Sequence, residues 1–244
     1  VNRSGSSCIA LNDVVAGYGT SRVLNGLTLE LGQRETLALL GPNGSGKSTV
    51  ARTIMGLTKC FSGTIEWNGR EITRSATWRR SRLGIGYVPQ VDNVFRELTI
   101  NDNLLVGAGG VRSRKERQRR VDDVYELFSV LQARRNVSGD KLSGGERRLL
   151  SFASALVQEP KVLVLDEPTS DLAPAAIDVV IEKIVEIRET FKIPVLLIEQ
   201  NAVRALEISD DVCLLIRGNV IERRAARNTT EAEIAKVFLE VIDD

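Results

Sequence analysis

Apolar residues alternate with polar ones across residues 9–15 and again across 23–31, with Gly17, Tyr18 and Gly19 between the two runs. That period of two predicts two strands joined by a turn. Residues 36–40 are nearly all apolar, as in a buried strand, and lead through a glycine-rich stretch into helix-like residues 50–55. Residues 63–72 read as a hairpin turning at Asn68 and Gly69, and 85–88 as another short strand. The period then lengthens. It is helical around 101–105 and from 115 to 131, where Val121, Val124, Tyr125, Phe128 and Leu131 share one face. Strand, helix and strand return at 162–165, about 174–190 and 195–198, which predicts a parallel α/β arrangement. A last hairpin, 212–216 and 220–222, precedes a helix opened by Thr229, Thr230 and Glu231. There is no internal repeat and no long linker.

Composition narrows the function classes. The 244 residues are 43% hydrophobic and 27% charged, enough for a substantial core and unlike a disordered or collagen-like chain. Lys and Arg number 33 against 32 Asp and Glu, which argues against a generally basic surface for nucleic acid. The basic run at 112–120 is followed at once by Asp122, Asp123 and Glu126 and reads as a solvated helix face. Cys8, Cys60 and Cys213 are far apart and outside any CxxC pair, so neither a disulfide framework nor a zinc site is indicated, and a reducing compartment fits. No apolar stretch reaches the roughly 18 to 20 residues of a membrane helix. Residues 1–8 lack a secretory core and read as a short flexible tail, so export is not expected. The chain contains no His, so any catalysis must rest on carboxylates, Lys, amides and backbone groups.

Three motifs carry chemistry. Gly41, Pro42, Asn43, Gly44, Ser45, Gly46, Lys47, Ser48 and Thr49 fill every defining position of G-x-x-x-x-G-K-[ST], between a strand and a helix as a phosphate loop requires. Backbone N–H groups freed by glycine can face phosphate oxygens, aided by the helix N-terminus. Lys47 would reach the β and γ phosphates, and Ser48 would give an oxygen to Mg²⁺. The strand at 162–165 ends in Asp166 and Glu167. Neighbours on a strand point to opposite faces, so the two acids can take separate tasks. Asp166 would hold Mg²⁺ through a water, and Glu167 would polarise the attacking water. Leu142, Ser143, Gly144, Gly145 and Glu146 open a second helix and make a second anion-binding end.

LSGGE between a phosphate loop and a strand ending in Asp-Glu resembles the nucleotide-binding subunit of an ABC transporter, over about residues 9–220. The resemblance implies an α/β P-loop NTPase fold of the ABC type. It has a mixed sheet core, an N-terminal antiparallel β subdomain, a helical insertion at about 92–158 and a C-terminal hairpin strand and helix at 218–244, all in one domain spanning 1–244. It implies a head-to-tail dimer with ATP between the Lys47 loop of one subunit and the Ser143–Gly144–Gly145 loop of the other. Tyr18 matches the aromatic that stacks on adenine, Gln90 the glutamine that touches Mg²⁺, and Asp171 lies in the loop that contacts the opposite subunit.

A narrower resemblance lies in residues 84–90, 94–108, 124–128 and 171–174, and above all in Ile198, Glu199, Gln200, Asn201 and Ala202. They look like one of the two ATPase subunits of importers for branched-chain amino acids or related ureas and amides. Gln200 stands where most ABC ATPases have a histidine that bonds the γ phosphate; an amide can still donate a hydrogen bond but carries no charge near neutral pH. Asp171, where a small residue is common, and Phe238–Leu239 near the end depart from that subfamily. The implied partners are transmembrane permease subunits, a second ATPase subunit, paralogous or identical, and indirectly a solute-binding protein, without nucleic acid. The implied location is peripheral, on the cytoplasmic face of the membrane. The alternatives are an ATPase of another ABC transporter, an exporter included, or a soluble ABC-type ATPase acting on nucleic acid. The latter class typically adds a long coiled coil, zinc cysteines or a second cassette, which this sequence lacks.

Overall fold

The computed structural model describes residues 7–91 and 93–242. The tail reading for residues 1–6, position 92 at the expected start of the helical insertion, and 243–244 at the end of the last helix lie outside the described residues. Ser7 and Cys8, assigned to the tail by sequence, instead open the first strand, β1 (Ser7–Tyr18), with Cys8 buried in the core. An apolar side chain that can pack against a sheet favours joining it over remaining in solvent.

β1 pairs antiparallel with β2 (Ser21–Gly32). β3 (Thr36–Leu40) then leads to α1 (Lys47–Met55), and β4 (Lys59–Trp67) returns to the other edge of β1. Asn68 and Gly69, at φ 48° and 73°, turn β4 into the two-residue β5 (Arg70–Glu71), so the hairpin starts earlier and its return strand is shorter than alternation suggested. This sheet has the order β2-β1-β4-β5. After α2 (Thr77–Leu83) comes β6 (Ile85–Val88), followed by α3 (Ile100–Gly107), α4 (Arg114–Leu127), α5 (Ser129–Ala133) and α6 (Gly144–Leu156). β7 (Val162–Asp166), α7 (Pro174–Phe191), β8 (Val195–Glu199), α8 (Ala202–Ile208), β9 (Asp211–Ile216), β10 (Asn219–Ala225) and α9 (Glu231–Ile242) complete the order. The second sheet runs β10-β9-β3-β8-β7-β6, parallel throughout except at β10.

Side-chain alternation divides the core between the two faces of this mixed sheet. Leu37, Leu39, Val162, Val164, Leu196 and Ile198 face α1 and the antiparallel sheet. Ala38, Leu40, Leu163, Leu165, Val195 and Leu197 face the helices of the opposite layer. Burial on both faces is why these strands read as continuous apolar runs.

The helix expected over 115–131 is broken at Phe128, whose backbone turns to φ −119° and ψ 63°. Its ring is 1% exposed, Lys183 Nζ lies 5.0 Å from the ring centroid, and the same ammonium donates to the Leu127 carbonyl at 2.7 Å. A cation from α7 thus satisfies the end of α4, which a helical period cannot reveal. The short α2 and α8 lacked enough turns to show a period; Asn201 caps α8, its side chain accepting from Arg204 N at 3.1 Å. Arg80, 1% exposed, donates to the carbonyls of Thr53 and Ile54 at 2.8 and 2.7 Å and so caps the far end of α1.

Burial pushes the Cys8 and Cys213 thiols up to about 12. At pH 8 both thiols are therefore held almost wholly in the neutral form, and the thiolate is the reactive one. In the native protein iodoacetamide should therefore label the half-buried Cys60 first, and the other two only after unfolding. Mapping the alkylated peptides checks this; equal labelling of all three would contradict the packing of β1 and β9.

Candidate functional site

β3, β8 and β7 end at one edge of the mixed sheet, and the loop from β3 into α1 lies across that edge. The loop adopts left-handed backbone at Gly44 and Gly46, with φ 80° and 104°. A Cβ at Gly44 would meet nothing within 4 Å, so glycine there answers to backbone conformation and not to crowding. Lys47, 4% exposed, folds back over the loop and donates to the Gly41 carbonyl at 2.9 Å and the Pro42 carbonyl at 3.2 Å. Its Nζ also lies 3.4 Å from Glu167 Oε1. Ser45 Oγ is buried with no hydrogen-bond partner, an orphaned group beneath a loop of backbone donors.

Asp166 ends β7 fully buried. Ser48 Oγ donates to its Oδ1 at 3.0 Å and Tyr87 OH to its Oδ2 at 3.2 Å. Burial raises its carboxyl above the usual range despite both hydrogen bonds. Glu167 accepts from Gln90 Nε2 at 2.8 Å. Strand alternation alone would put the two acids on opposite faces. The chain instead leaves the strand at Glu167, where φ is 47°, so that Asp166 meets Ser48 and Glu167 meets Lys47, both on the phosphate loop. The two side chains do part, but a left-handed residue and not strand alternation parts them.

Tyr18 sits at the end of β1, 40% exposed, and its hydroxyl accepts from Arg52 Nη1 at 3.1 Å, one turn of α1 beyond Ser48. The sequence assigned no role to Arg52 or Tyr87, which together with Asp166 link the outer aromatic to the buried carboxylate; the phenol of Tyr87 is held neutral by burial first and by Asp166 next. Glu199 likewise stood in the subfamily motif without a role of its own. This carboxylate, 2% exposed, accepts from Thr169 N and Oγ1 at 3.0 and 2.7 Å and from Gln200 N at 3.1 Å, and burial raises its pKa. An acid ending an apolar strand next to Gln200 was the available signal. A cavity of ≈ 600 Å³ brings Glu167, Asp171, Glu199 and Gln200 together beside Phe238 of α9.

Ser143 caps α6 in a reciprocal box: its hydroxyl accepts from Glu146 N at 3.2 Å, and its N–H donates to Glu146 Oε2 at 2.8 Å. Arg134 pairs with Glu146, and Arg147 donates to the Leu142 carbonyl. A Cβ on Gly145 would meet that of Ala176 at 3.0 Å, and one on Gly144 would meet Leu172 at 3.3 Å. This segment thus lies close beside the residues that follow Asp171.

A family model described as ABC transporter matches residues 24–170, a span that holds the phosphate loop, the capped α6 and the Asp166–Glu167 pair. The chain belongs to the ABC transporter family. Among ABC relatives, the probable branched-chain amino acid transport ATP-binding protein LivF of Archaeoglobus fulgidus is 40% identical over 229 residues, 93% of this chain and 97% of that one. The high-affinity branched-chain amino acid transport ATP-binding protein BraG of Pseudomonas aeruginosa is 34% identical, over 87% of this chain and 91% of that one. An ATP-binding cassette of an ABC transporter, solved in its ADP conformation, superposes with a TM-score of 0.83 at 23% identity, covering 97% of each chain, and shows the same ABC fold. Among the described residues, no helix is long and apolar enough to cross a membrane.

Proposed function

We propose that this ABC-family chain binds and hydrolyses ATP as the nucleotide-binding subunit of an importer for branched-chain amino acids or related small amides. The observation that carries the reading is the convergence of Lys47, Ser48, Gln90, Asp166 and Glu167 on one loop at the sheet edge. The phosphate-loop N–H groups and Lys47 bind the β and γ phosphates, and Tyr18 stacks on adenine. Ser48, Asp166 and Gln90 supply an all-oxygen donor set, which fits Mg²⁺ better than a softer metal, and Asp166 is a buried carboxyl whose pKa burial raises. Held there, Mg²⁺ would neutralise phosphate charge. Glu167 accepts a proton from the attacking water, and Gln200 donates a neutral hydrogen bond to the γ phosphate.

The capped N-terminus of α6, with Ser143, Gly144 and Gly145, faces the nucleotide of a second ATPase subunit, and Asp171 lies along that contact. Since Gln200 carries no charge, a paralogous partner with a different γ-phosphate donor would make an asymmetric dimer. Permease chains hold this dimer at the cytoplasmic face of the membrane. The solute class follows the names of the two relatives above.

The test is uptake into proteoliposomes holding this chain, its neighbouring permease chains and a solute-binding protein. Leucine uptake that requires Mg-ATP inside the vesicles is expected. ATP turnover without uptake of leucine, isoleucine, valine or a small amide would overturn the solute class, and absence of turnover would overturn the enzyme reading.

A further inference from the structure

Arg148 lies on α6 just beyond the residues that form its capped N-terminus. It is 4% exposed, and it donates from Nη1 to the Pro89 carbonyl at 2.9 Å and from Nη2 to the Gln90 carbonyl at 2.8 Å. Two parallel N–H groups of one planar cation thus fix two successive carbonyls of the loop leaving β6. Gln90, so held, extends its side chain to Glu167 at 2.8 Å. A second clamp acts further along the same loop: Asn103 accepts from Phe95 N at 2.7 Å and donates to the carbonyls of Phe95 and Thr99 at 3.0 and 2.9 Å. The loop is therefore bonded to the helical layer at both ends, and among its described residues the side chain that reaches the acid, Gln90, stands at the Arg148 end.

We infer that Arg148 is a positioning residue that ties the Gln90–Glu167 contact to α6, so that a displacement of α6 at one nucleotide site is felt as a change in the hydrogen bonding of Glu167 at the other. The inference rests on the ATPase reading above for its catalytic consequence, but not for the tie itself. The geometry gives the reason that arginine suits this place. A lysine has no planar fork and can satisfy one of the two carbonyls well, and a glutamine keeps a short neutral donor. With either carbonyl released, the peptide plane of residue 90 is free to rotate, and its side chain no longer starts from a fixed point.

The experiment uses the full chain as R148Q and R148K, each alone and combined with Q90A, with hydrogen exchange and steady-state turnover as readouts. In R148Q, amides in the segment 85–98 should exchange at least several-fold faster while those of 36–55, in β3 and α1, keep their rates. kcat should fall about tenfold, the scale of one lost hydrogen bond to a charged group, with the KM for ATP unchanged. R148K should recover part of both effects. Because Arg148 acts through Gln90, R148Q should subtract nothing further from Q90A. A purely structural role would give additive losses and faster exchange throughout α6, and either result would overturn the inference; so would unchanged exchange in 85–98. If the parent chain turns over no ATP, the enzyme reading fails, and the exchange rates alone still decide the tie. Should R148Q fail to fold, R148K reads the same segment.

Discussion

Glu167→Gln is expected to lower ATP turnover by about 10²- to 10⁴-fold, the usual contribution of a general base, while nucleotide affinity changes by no more than a few-fold. The two side chains have nearly equal volume, and the amide oxygen can still accept from Gln90, so the loop should keep its shape. What is lost is the capacity to take a proton from water and the charge opposite Lys47. Binding without chemistry should accumulate the closed dimer. Size-exclusion chromatography with Mg-ATP should therefore show a stable dimer for the variant and a transient one for the parent. Turnover equal to the parent would remove Glu167 from the mechanism and leave its contact with Gln90 a structural one.

Lys47→Met is the second large effect, and it falls on binding. Hydrogen bonds to charged groups contribute about 1.5–3 kcal/mol each, so losing the ammonium should weaken Mg-ATP binding by about ten- to a hundredfold. Titration calorimetry checks this. Methionine has the length to fill the same path, but the carbonyls of Gly41 and Pro42 lose their donor and Glu167 its cation. Some loss of stability without nucleotide should accompany the loss of binding. An affinity unchanged from the parent would show that the backbone donors of the loop carry the phosphates unaided. The two variants separate the site's tasks: one binds without turning over, the other fails to bind.

What could be read in the sequence was local. The phosphate loop and the Ser143 cap are consecutive residues whose geometry follows from glycine conformation and helix ends, and the buried strands announce themselves by unbroken apolar runs. The sheet order, with β3 between β9 and β8, was not readable beyond its parallel character, because pairing joins residues more than a hundred positions apart. The missed residues share that property. Arg80 closes α1 from another helix, Lys183 ends α4 from α7, and Tyr87 finds Asp166 across two strands. Each is a polar side chain whose partner is a distant carbonyl or acid, and no spacing rule marks such a pair. Tyr18 and Gln90 were placed by resemblance; the structure adds what holds them, Arg52 for one and Arg148 for the other.

The backbone at Glu167 has a meaning of its own. An L-residue other than glycine held near φ 47° is disfavoured by about 1–3 kcal/mol, and asparagine or glycine would sit there with less strain. Folding and chemistry therefore prefer different residues at this one position. A protein optimised only for thermal stability would drift away from the acid, so selection experiments that score melting temperature alone should be kept from sampling position 167.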